Sequence, residues 1–194
     1  DAETISKGAF LKCKALTTVN LPQNLTSIAG QAFWDCASLK NIEIPSSVTT
    51  IGLQAFFECH SLESIELPSG VESIGENAFA ADEKLTKVVC HNATPIDIHW
   101  NAFYGIAPNA VLYVPAEGLA AYNADENWKH NFSSILEISA GDEGNIHWSY
   151  EDGVLTFTGN GEMPASTAWN KYASTTTSIV FGSGITKIKE NTFQ

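Results

Sequence analysis

Residues 51–68 read Ile51-Gly52-Leu53-Gln54-Ala55-Phe56-Phe57-Glu58-Cys59-His60-Ser61-Leu62-Glu63-Ser64-Ile65-Glu66-Leu67-Pro68. The Ala55-Phe56 dipeptide at their centre recurs as Ala9-Phe10, Ala32-Phe33, Ala78-Phe79 and Ala102-Phe103, with phenylalanines 23 residues apart and the last step 24. Other columns keep the same register. Ile5, Ile28, Ile51, Ile74 and Ile98 stand five residues before each Phe, and Leu16, Leu39, Leu62 and Leu85 stand six after it. Val19, Ile42, Ile65, Val88 and Leu112 follow nine after, and Leu21, Ile44, Leu67, Cys90 and Val114 eleven after. Pro22, Pro45, Pro68 and Pro115 then close the unit, with His91 as the exception. A period of this length marks a repeat architecture.

Each repeat contains Leu-x-x-Val-x-Leu, as in Leu16–Leu21, and its alternation predicts a short strand with one buried face. The following proline lacks an N–H and ends the ladder. A second apolar pair follows (Leu25 and Ile28, Val48 and Ile51, Val71 and Ile74), and the Ala-Phe segment is expected to be a tight helical turn placing Phe beneath the strands. One repeat cannot bury these residues alone. Stacking coils about 4.8 Å apart turns each column into a continuous core, so the expected architecture is a solenoid.

At these residues the chain resembles the BspA-like, or Treponema pallidum-type, leucine-rich-repeat family, whose pattern Ile-Gly-x-x-Ala-Phe-x-x-Cys-x-Ser-Leu-x-x-Ile-x-Leu-Pro runs from Ile51 through Pro68. The resemblance covers residues 5 to about 115. It implies a β-rich leucine-rich-repeat solenoid, a right-handed superhelix with short helical turns, from a bacterial cell-surface or secreted protein. It further implies adhesion or protein binding without catalysis and without a cofactor. Asp82 in place of Cys, Asn109 in place of Leu and His91 in place of Pro depart from the pattern toward the end of the array.

After Pro115, Leu119/Tyr122 and Trp128/Phe132 have spacings that share a helix face. Residues 116–138 are therefore expected to cap an array spanning 1–138, with short helices. Residues 139–144 read as a linker and 145–194 as a second module. There Ile146–Tyr150 and Val154–Thr158 alternate around Glu151-Asp152-Gly153, a hairpin signal. Ile179-Val180-Phe181, Ile188 and Phe193 repeat the offsets of the first array, so this module reads as a β cap opening a second, truncated array. The first array begins in mid-coil, and the chain reads as a fragment of a longer protein.

Composition narrows the partners. With 10 Lys+Arg against 22 Asp+Glu the net charge is −12, which disfavours nucleic acid and anionic membrane surfaces. Charged residues are only 16% against 44% hydrophobic, too apolar for a disordered acidic tail. No apolar run is long enough to span a bilayer, and the first residues carry no leader pattern.

Candidate contact residues lie between the buried strand positions: Thr18/Asn20, Asn41/Glu43, Ser64/Glu66, Lys87/Val89 and Tyr113. They form either a solvated face or an acidic patch for a protein partner such as a host matrix or cell-surface protein, with Glu43 and Glu66 stacked as like charges. The column after each Phe (Leu11, Trp34, Phe57, Ala80, Tyr104) is either packing between coils or a stripe for protein or glycan. Trp148, Tyr150, Trp169 and Tyr172 pose the same choice between core and glycan site. Cys13, Cys36, Cys59 and Cys90 read as buried free thiols, a disulfide or metal site being the alternative. No hydrolase, metalloprotease, phosphate-loop or calcium-loop motif occurs, and the five histidines show no ligand spacing. A purely structural stalk is the remaining reading.

Overall fold

The structure, a computed structural model, describes residues 3–138, 140–143, 145–151, 153–163 and 169–188. The chain divides into two compact units, Asp1–Glu137 and Ile138–Gln194. In chain order the first carries β1 (Thr4–Ile5), β2 (Ser27–Ile28), β3 (Thr50–Ile51), β4 (Ser64–Leu67), β5 (Ser73–Ile74), β6 (Lys87–Cys90), β7 (Asp97–Ile98) and β8 (Val111–Val114). Helices α1 (Leu119–Ala124) and α2 (Glu126–Lys129) and strand β9 (Ser134–Glu137) complete it. No helix among the described residues is long and apolar enough to cross a membrane.

The first unit is a β-solenoid with two parallel ladders, as the repeat requires. One sheet runs β1-β2-β3-β5-β7 and pairs Ile5, Ile28, Ile51, Ile74 and Ile98 in turn. The other runs β4-β6-β8-β9. Segments 18–21 and 41–44, expected as strands, join no ladder, although Ile42 and Ile44 are buried. Burial of these apolar residues holds 41–44 in place, and the Glu63 N–H still donates to the Lys40 carbonyl of the coil before at 3.2 Å.

The Ala-Phe segments are not helical, contrary to the expected tight helical turn. Alternate N–H groups bond within the coil and across to the next coil. Ala32 donates to Ala29, Trp34 to Gln31 and Cys36 to Phe33, whereas Gln31 donates to Leu53, Phe33 to Ala55 and Asp35 to Phe57. This path needs left-handed backbone two residues either side of Phe: Gln31 (φ 62°) and Asp35 (φ 56°), Gln54 (54°) and Glu58 (62°), Asn77 (54°) and Ala81 (61°). Such φ values disfavour residues with a Cβ, so the inter-coil bonds must hold them. The coils approach so closely here that a Cβ on Gly52 would lie 2.5 Å from the Gly30 nitrogen.

These turns aim the Phe rings inward as one stack. Phe10, Phe33, Phe56, Phe79 and Phe103 succeed one another at centroid separations of 5.1, 5.2, 5.1 and 5.1 Å with interplanar angles of 10° or less. Phe33, Phe56, Phe79, Phe103, Leu39, Leu62 and Leu85 are buried. Phe10 and Leu16, expected in the same core columns, are not: Phe10 is 38% exposed and Leu16 only partly buried. They belong to the first described coil, where the Phe10 ring stacks on Phe33 on one face. At the other end Trp128 and Phe132 close on Phe103 at 5.7 and 5.2 Å. The Trp128 indole N–H donates to the Ile96 carbonyl at 3.0 Å, satisfying its polar edge.

The second unit contains β10 (Ala140–Glu143), β11 (Ile146–Glu151), β12 (Val154–Gly159), β13 (Gly161–Met163), a short 3-10 turn at Asn170–Tyr172, β14 (Ser178–Phe181) and β15 (Ile185–Ile188). The segment read as a linker thus holds a strand, paired antiparallel with β11. β11 and β12 form the expected hairpin, closed from Glu151↔Val154, and Gly153 supplies φ +82° in its turn. β14 adds parallel to β12, and β15 to β13. Ile146, Trp148, Leu155, Phe157, Met163, Trp169 and Tyr172 form the core. Phe193, expected to continue the repeat, lies outside the described residues.

Candidate functional site

The outward face of the β4-β6-β8-β9 sheet alternates in β4, which reads exposed, buried, exposed, buried, whereas in β6 only Lys87 is exposed and Val89, expected on the contact face, is buried. Its register aligns Ser64 with Lys87 and Val111, and Glu66 with Val89 and Tyr113. Tyr113 in turn pairs with Leu136, which is 47% exposed. The face is therefore mixed rather than an acidic column. Glu66 lies 3.6 Å from His91 Nε2, and the Lys87 ammonium sits 5.4 Å from the Tyr113 ring centroid. Asn20, Asn41 and Glu43 are exposed on the coils before this ladder, and no strand pairing sets Glu43 over Glu66.

The aromatic column after Phe resolves differently along the array. Trp34 and Phe57 are half-buried, meet edge to face at 5.6 Å, and the Trp34 indole N–H donates to Glu58 Oε2 at 3.2 Å. They pack coil against coil. Ala80 is buried, but Tyr104 in the last coil is 62% exposed. In the second unit Trp148 and Trp169 are buried, and Tyr150 stacks on Tyr172 at 4.2 Å, so these rings serve the core.

The cysteine column is one of thiols, all four free. The Cys36 and Cys59 thiols donate to the carbonyls of Phe10 and Phe33 at 3.2 and 3.3 Å. Burial pushes the Cys36 thiol up to about 11 and raises Cys59 and Cys90 as well. Cys13, expected to be buried, is exposed, because it too belongs to the end coil. Asp82 continues the column fully buried, and burial holds its carboxyl well above the usual carboxylate range.

Two features escaped sequence reasoning. The turn at 105–108 and the segment 130–133 flank an open pocket of about 320 Å³ lined by Tyr104, Ile106, His130, Asn131 and Phe132 among others. Beside it Trp100 is 54% exposed, its carbonyl accepting from Asn131 Nδ2 at 3.0 Å. The only available signals were two aromatics flanking Phe103 and the 24-residue spacing that ends there.

A family profile described as BspA type leucine rich repeat region matches residues 1–111 in six copies. Among solved structures, the T. pallidum leucine rich repeat protein TpLRR superposes with TM-score 0.54 and 22% identity over 70% of this chain and 67% of its own. The pneumococcal vaccine antigen PcpA gives TM-score 0.50 and 19% identity over 70% of this chain and 39% of its own. At these identities the likeness is one of fold. No curated protein matches the chain.

Proposed function

The chain belongs to the BspA-type leucine-rich-repeat family, and from that membership we propose that it is a non-enzymatic interaction module of an extracellular or cell-surface protein, binding a protein partner. The observation that carries this reading is the rigid outward face of the β4-β6-β8-β9 sheet. Ser64, Glu66 and Lys87 stand exposed beside Tyr113 and Leu136 at fixed register. A regular ladder presents such groups without ordering cost on association. Asn20, Asn41, Glu43, Ser64 and Glu66 form the polar part of the contact, and the carboxylates act on association rate and partner choice. Adhesion to a host matrix or cell-surface protein is the form of binding the family membership favours.

The test is capture of host matrix and cell-surface proteins on the immobilised chain, followed by salt-dependent binding kinetics for whatever is retained. A Glu43→Lys/Glu66→Lys double variant is expected to fold as the wild type and to lose association rate at low salt. Binding unchanged in that variant at low salt overturns the assignment of this face.

A further inference from the structure

We propose that the last coil of the first unit carries a binding site for neutral oligosaccharides, formed by Tyr104, His130 and Asn131 at the open pocket between residues 103–108 and 130–133, with the exposed Trp100 ring on the same turn. The site lies on the turn edge of the coil and is independent of the sheet-face contact proposed above.

The columns show why aromatics are bare here. In the inner coils the residue after Phe is buried or half-buried between coils, as Trp34 is against Phe57. After Phe103 the chain leaves the repeat, and the closing residues Trp128 and Phe132 cover the Phe103 ring itself. Tyr104 is passed over and left 62% exposed. The residue three before Phe is exposed wherever it carries a side chain: Lys7, Leu53 and Glu76 precede Trp100 in that column. Trp100 therefore projects from the same turn, 54% exposed. Placing two large rings in water gains nothing for the fold.

The chemistry around the rings suits a sugar. A pyranose has an apolar face of C–H groups that stacks on an aromatic ring, and a rim of hydroxyls that needs polar partners. Asn131 is fixed by two bonds from its Nδ2, to the carbonyls of Trp100 at 3.0 Å and Asn127 at 2.6 Å, which leaves its Oδ1 as a positioned acceptor. His130 stands at the pocket wall with an exposed imidazole. A volume of about 320 Å³ holds one or two sugar rings. The chain's −12 charge disfavours sialylated or sulfated glycans, so the ligand is neutral.

The probe is an array of oligosaccharides ending in glucose, galactose, mannose or N-acetylglucosamine, with sialylated and sulfated arms. It is applied to the full chain, and hits are titrated by saturation-transfer NMR. Saturable binding to at least one neutral glycan is expected. Tyr104→Ala and Trp100→Ala should each weaken it about tenfold with unchanged melting temperature, while Tyr104→Phe, which keeps the stacking face, retains it. Trp34→Ala should leave the affinity unaltered. No saturable binding, binding confined to the charged arms, or Tyr104→Ala binding as wild type would each overturn the proposal, and none bears on the Glu43/Glu66 reading.

Discussion

Asp82 Oδ1 accepts the backbone N–H of Cys59 at 2.7 Å, and the other oxygen of the same carboxyl is buried with no hydrogen-bond partner. The preceding coils place a thiol at this position and give its hydrogen to the Phe carbonyl of the coil before, as Cys59 does to Phe33. Asp82 fills the column with a larger polar group in a site shaped for a small hydrophobe. Ionising it there would bury an uncompensated charge.

The pH dependence of stability follows from that burial. The carboxyl's ordinary value is 3.8, and its value in the fold is well above that. Well below pH 3.8 it is neutral folded or unfolded. Above that the unfolded chain ionises and the folded chain does not, so this group costs stability progressively as pH rises toward its folded value. Asp82→Cys should therefore melt higher than wild type at pH 7, by the equivalent of about 1–3 kcal/mol, with the gap closing toward pH 4. A gap independent of pH would show that Asp82 is already ionised in the fold.

Core truncations should grade with position in the stack. Phe56→Ala removes a ring sandwiched between Phe33 and Phe79 and should cost about 3–5 kcal/mol. Phe10→Ala removes a ring 38% exposed and stacked only on Phe33 among its Phe neighbours, and should cost less than half as much. Equal losses in urea unfolding would contradict the one-sided environment of the first coil.

Thiol reactivity should separate Cys13 from the others. In the native chain at pH 8 an aromatic disulfide reagent should titrate one thiol rapidly, that of the exposed Cys13. The remainder should react only after unfolding, since Cys36, Cys59 and Cys90 are buried and their thiols are pushed up by burial. Cys13→Ser should abolish the fast phase.

Closure of the stack should depend on Trp128. Its ring lies on Phe103 and against Tyr122 at 5.2 Å, and Trp128→Ala opens a cavity at that end at about 3–5 kcal/mol. Amide hydrogen exchange should then rise first in β8 and β9 and least in β2 and β3. Uniform loss of protection would mean the solenoid unfolds as a single cooperative block.

The apolar columns of the solenoid were readable from spacing alone because each coil repeats them: the Ile ladder from Ile5 to Ile98 pairs in the register that the period implies. What spacing could not show was the backbone between columns. Gln31, Asp35, Gln54 and Glu58 adopt left-handed φ without being glycine, held by bonds to a neighbour 22 or so residues away, and such long-range support leaves no local sign. End effects were equally hidden. Phe10, Cys13 and Leu16 look identical to their columns, yet Phe10 and Cys13 are exposed and Leu16 is only partly buried. Tyr104 shares a column with the half-buried Trp34 and Phe57 and the buried Ala80, and is bare because the chain leaves the repeat after Phe103.

The alternating bonds of the Ala-Phe turns have one further consequence. Along that edge every inter-coil N–H points toward the following coil, as Phe33 to Ala55 and Phe56 to Ala78. Bonds flanking the β1-β2-β3-β5-β7 sheet point the other way, as Ala29 to Ile5 and Gly52 to Ile28. The two sets of peptide dipoles oppose each other along the stacking direction, unlike the aligned units of an α-helix. A coil added to such a stack brings both senses of dipole, so the bonds of the Ala-Phe edge offset part of the axial dipole that the opposite edge builds up.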